Sequence, residues 1–236
     1  MYNNEDFADF FKNGFTSEYS NYCSGMIRAA VTGIMAACGS AKDYASENEY
    51  NDHIRKQCSK LMRTAEICSA LTEEANTDEA VNIGEFIDEI IRGIKGILGS
   101  RCDMSYIEER PCYMRTSKRI LRYIIIETVR KMVENSAESK LDVTFSACET
   151  DSGTEIKISG GTIAKDENRN DIFSNNYFNI VELFAFRINA KMVYNENTVT
   201  ICLPVSSSGK VLELRSKKNF FGADNNSVYR LMLGDL

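Results

Sequence analysis

The stretch LRYIIIETVRKMVENS, residues 121–136, sets a carboxylate, Glu127, and an ammonium, Lys131, one helical turn apart in an otherwise apolar run. Side chains at i and i+4 meet on a helix, and a glutamate preceding a lysine is the favourable order, contributing about 0.3–0.5 kcal/mol as an ion pair. As a ligand site the same turn is limited: an ammonium has protons to give an anion, but a hard cation such as magnesium needs oxygen donors. TEIKISGGTI closes a strand-like run on Ser159, Gly160 and Gly161, and NNYFNIVELF opens a helix-like run with Asn175, Asn176 and Tyr177. Asparagine caps helices and tolerates left-handed backbone, so a turn is expected before that helix.

Other reactive residue types are sparse. The sole histidine, His53, lies near the start of a helical stretch and reads as a surface residue. The eight cysteines, at 23, 38, 58, 68, 102, 112, 148 and 202, include no Cys-x-x-Cys pair and read as reduced, mostly buried thiols. No catalytic or metal-ligating set emerges, and none is expected.

These residues sit in a chain of 236 with 43% hydrophobic and 26% charged side chains, an ordinary globular composition long enough for a helical element plus an α+β domain. The net charge of -6 argues against general attraction to nucleic acid. No apolar run approaches the roughly 20 residues that span a bilayer. The leading MYNNEDFADFF lacks a basic region followed by an apolar stretch, so a cytoplasmic location is expected, without membrane insertion.

The first third is helical by pattern. Ile27, Val31, Ile34, Cys38, Ala41 and Ala45 form a narrow seam on a helix from about Thr16 to Ser46. Ile54, Cys58, Leu61, Ala65, Cys68 and Thr72 repeat it between Glu49 and Ala75, after the short link SENEY. An antiparallel hairpin cannot hide two seams and its flanking methionines, so a twofold copy is expected, giving a four-helix bundle in a homodimer.

Beyond Asn76 the pattern mixes α and β. A helix carrying Phe86, Ile87, Ile90, Ile91, Ile94 and Leu98 follows a short VNI segment, and CDMSYIEE alternates like a strand. The helix of about 116–135 comes next, then a hairpin from LDVTFSAC and TEIKISG. The polar AKDENRNDIFSNN reads as a loop, YFNIVELFAFRI as a helix, and AKMVYNEN with TVTICLPV as a second hairpin. This order predicts a two-layer sandwich, a mixed sheet covered on one face by helices. The last 30 or so residues begin with a Ser/Gly run and hold a strand-like VLEL, the basic cluster Arg215, Lys217 and Lys218, and a short amphipathic helix with Val228, Leu231 and Met232.

That succession resembles the transmitter region of sensor histidine kinases: a dimerisation and phosphotransfer hairpin joined to an ATPase domain of the gyrase, chaperone and kinase type. The resemblance implies a hairpin at 1–77, an ATPase-like domain at 78–205 and a C-terminal extension at 206–236. It also gives the three stretches roles. The family has Asn-x-x-x-Asn, amides that face phosphate and hold magnesium, where this chain has Glu127 and Lys131. In related ATPases a glutamate there activates water. Where the family has Asp-x-Gly-x-Gly, whose aspartate reads the adenine amino group, Ser159 or Gly160 takes the aspartate's place, depending on a one-residue shift, and Gly160 and Gly161 keep the turn but no carboxylate. Its Gly-x-Gly-Leu segment, whose glycines let backbone amides approach phosphate, aligns with Asn175, Asn176 and Tyr177. In the hairpin, CSGMIRAAVTGI set against His-Glu-Leu-Arg-Thr-Pro-Leu puts Gly25 at the phosphoacceptor and matches Arg28 to the arginine. Glycine supplies no nucleophile.

The resemblance therefore implies a pseudokinase or adaptor in two-component signalling without a cofactor, its partner a response regulator receiver domain or a true histidine kinase. The alternative is a divergent kinase, phosphatase or phosphotransferase that still binds ATP and magnesium through Glu127, Lys131 and an aspartate from the loop.

Overall fold

The structure, a computed structural model, describes residues 27–29, 31–36, 38, 46–72, 79–108, 110–136, 140–160, 176–195, 197–205, 225–234 and 236. Asp166 and Asp171, the aspartates of the expected loop AKDENRNDIFSNN, lie outside them, as do VLEL and the Arg215, Lys217, Lys218 cluster. Two compact units divide the chain, Met1–Thr72 and Glu73–Gly234 with Leu236. Among the described residues no helix is long and apolar enough to cross a membrane.

In the first unit the described residues of 27–38 are helical, and a long helix, α1 (Glu47–Thr72), follows. The two run antiparallel: Gly33 lies against Gln57, while Tyr50 Oη donates to Cys38 Sγ at 3.6 Å. Much of the seam stays open. Ile27 and Val31 are each 39% exposed, Met35 69% and Met62 55%, whereas Thr64, Ile67 and Ala70 are buried. Cys68 is disulfide-bonded, so the expectation of eight thiols fails at that position.

The second unit begins with β1 (Ala80–Asn82) and α2 (Ile83–Leu98). Asn82 Oδ1 accepts from the Glu85 N–H at 3.3 Å, satisfying one of the donors a helix start leaves over. The face carrying Phe86, Ile87, Ile90, Ile91, Ile94 and Leu98 is buried, as its spacing predicts. Gly99 ends the helix at φ +58, with its N–H on the Lys95 carbonyl. Then come β2 (Cys102–Glu108), β3 (Tyr113–Arg115) and α3 (Lys118–Asn135), which Ser117 caps through the Ile120 N–H. The three-residue β3 is too short to announce itself by alternation, and pairs antiparallel with β1.

Two hairpins complete the sheet, β4 (Leu141–Thr150) with β5 (Gly153–Ser159), and β6 (Lys191–Asn195) with β7 (Thr198–Pro204), separated by α4 (Asn176–Arg187). The sheet order is β2-β4-β5-β7-β6, with β2 parallel to β4 and the other pairs antiparallel. Val143, Phe145, Ala147, Ile156, Ile158, Val199, Ile201 and Leu203 are buried, while the alternate Ser146, Cys148, Lys157 and Cys202 are not. This period of two marks one covered sheet face and one open face. The expected α+β sandwich is thus the observed one. The last helix, α5 (Asn225–Leu233), belongs to this unit and packs on α2 and α3.

Candidate functional site

The helix α3 is enclosed rather than amphipathic. Apolar side chains all round it, from Ile120 to Val133, are buried because α4 and α5 pack on it within the helical layer. The Tyr123 and Phe184 rings stack at 5.5 Å and 14°, tying α3 to α4. Glu127 is only 4% exposed and Arg130 5%. Thr128 donates its hydroxyl to the Ile124 carbonyl at 2.7 Å.

Charge is shared along the last turns. The Lys131 ammonium lies 3.7 Å from Glu134 Oε2, and Arg130 Nη2 lies 2.9 Å from Glu134 Oε1. Arg130 Nη1 donates to the Met232 carbonyl of α5 at 2.7 Å. Lys131 thus shares Glu134 with Arg130, and its nitrogen offers no lone pair to a metal while protonated.

The short connection 136–140 leads from α3 into β4, whose start borders the end of β5. Ser159 and Gly160 sit there. The Ser159 hydroxyl and Thr198 Oγ1 are 3.1 Å apart, and the Gly160 N–H donates to the Asn197 carbonyl at 3.1 Å. Gly160 has φ +140, a conformation L residues rarely adopt, and a Cβ there would lie 1.9 Å from the Asp142 carbonyl oxygen. No side chain fits at 160 without moving the β4 backbone, so a carboxylate cannot be carried at that point of this turn. Among the described residues at the positions the resemblance names, Ser159 and Gly160 carry no carboxylate, and Glu127 and Lys131 carry no amide.

The remaining expected site residues are placed only in part. Arg28 is helical and exposed in the first unit. Gly25, Gly161 and Asn175 lie outside the described residues. Asn176 and Tyr177 open α4, but their side chains are not among those described. His53 is half-buried with Gln57 Nε2 3.4 Å from its Nε2, in an open concavity with Glu49, Asp52 and Lys56.

Nor does the electrostatics point to a nucleophile. Burial pushes the Cys102 thiol up to about 11, with help from the Asp103 and Asp142 carboxylates. Burial also raises Cys112 and Cys202, each beside a glutamate. Such thiols stay protonated and unreactive at neutral pH. No group of three or more His, Cys, Asp or Glu suited to a metal exists among the described residues.

Sequence reasoning missed the buried polar contacts around α3. Arg122 Nη2 donates to Glu89 Oε1 at 2.6 Å, with both side chains about 15% exposed or less, and its guanidinium lies over the Phe86 ring. Arg130 reads as one more charge on a polar turn, yet it holds α5. One available signal was Gly93, a glycine inside a helix, which usually answers to a packing demand.

No protein-family model matches the sequence, and no curated protein matches it. Solved structures do match by shape. The histidine kinase AdeS of Acinetobacter baumannii superposes with a TM-score of 0.59 at 13% identity, over 75% of this chain and 96% of that one. The histidine kinase ThkA, solved in complex with the response regulator protein TrrA, gives 0.58 at 14% identity, over 87% of this chain and 68% of that one. Helical hairpin, mixed five-stranded sheet and single helical layer together give this chain the fold of a histidine kinase transmitter region.

Proposed function

We propose that the chain is a histidine-kinase-like protein of two-component signalling that works as a pseudokinase or adaptor, binding a protein partner without binding Mg-ATP. The observation that carries this reading is Gly160. Its left-handed backbone and the adjacent Asp142 carbonyl leave no room for a side chain at 160, which with Ser159 is one of the two positions the resemblance sets against the adenine-reading aspartate, and this supports the reading. The neighbouring Ser159 hydroxyl is engaged with Thr198, and Lys131 lies against Glu134. In the alignment that the resemblance implies, Gly25 falls at the phosphoacceptor position, which supports the same reading.

The exposed Ile27, Val31, Met35 and Met62 support a homodimer through the hairpin, where a second copy would remove them from water. ThkA was solved with a response regulator protein, and by analogy a receiver domain is the partner proposed here, with exposed Arg28 on the contact face. The test is incubation of the purified chain with γ-labelled ATP and magnesium, beside a pull-down of receiver domains by the chain and its Arg28→Glu variant. An unlabelled protein that captures a receiver, and loses it on Arg28→Glu, is expected. Transfer of label to the chain would overturn the pseudokinase reading; capture indifferent to Arg28→Glu would overturn the proposed face.

A further inference from the structure

No further inference is drawn: the strongest candidate, a redox switch at the disulfide-bonded Cys68 on α1 of the helical hairpin, has its bonding partner outside the described residues, so nothing in the structure shows what opening the bond would release.

Discussion

Replacing Gly160 with alanine tests whether a side chain can be carried at that turn. Two costs are incurred. The first is backbone strain at φ +140, about 1–3 kcal/mol for a residue with a Cβ. The second is steric: the new carbon would meet the Asp142 oxygen at 1.9 Å and Val143 Cα at 3.0 Å, so the start of β4 must shift, an overpacking cost of about 1–3 kcal/mol. Gly160→Ala should therefore destabilise the second unit by about 4 kcal/mol, lowering its melting temperature by roughly 8–16 °C for a domain of this size. Gly160→Asp should cost as much and restore no adenine recognition. Gly96→Ala is the control. Its Cβ would meet nothing within 4 Å on helical α2, so it should stabilise by about 0.5–1 kcal/mol. Thermal unfolding followed by circular dichroism reads all three. A Gly160→Ala variant melting within about 2 °C of wild type would refute the steric reasoning and reopen position 160 to a functional side chain.

Ser117→Ala removes the buried cap of α3 and should cost about 1 kcal/mol in chemical denaturation. Glu89→Ala strips Arg122 of a partner at 2.6 Å and should cost about 1.5–3 kcal/mol, with an Arg122→Met, Glu89→Leu double variant recovering part of it. Alkaline pH should weaken the second unit. Burial pushes Tyr229 up to about 12 from 10.0 and Cys102 up to about 11 from 9.0. Both folded-state values are raised, so the associated stability is intact below pH 9 and fades as pH climbs through 9–12. Each group accounts for at most about 3 kcal/mol. Tyr229→Phe should flatten the upper part of that curve, read from denaturation midpoints against pH.

The β-hairpins were legible because alternation survives when one face of a sheet is covered and the other is open. Phe145 and Ile158 alternate with Ser146 and Lys157 along paired strands, and the register follows. The face of α2 was legible for the same reason at a period of 3.6. The surroundings of α3 were not. Its apolar face was visible, but the burial of Glu127 and Arg130 depends on neighbours supplied by distant segments, one of them roughly a hundred residues away. Short β3 carried no period at all. At the candidate site, sequence showed that Ser159 and Gly160 lack a carboxylate; only the backbone angle and the Asp142 carbonyl show why one cannot be added at 160. The disulfide at Cys68 had no sequence signal, since spacing alone does not tell a thiol from a bonded sulfur.

The central claim, that this transmitter fold has no working nucleotide site, is tested most directly by calorimetric titration of the purified chain with ATP, with and without magnesium, beside its Lys131→Asn variant. No saturable heat at millimolar nucleotide is the predicted result for the wild type. Saturable binding by the wild type, altered by Lys131→Asn, would contradict it and assign Lys131 to phosphate.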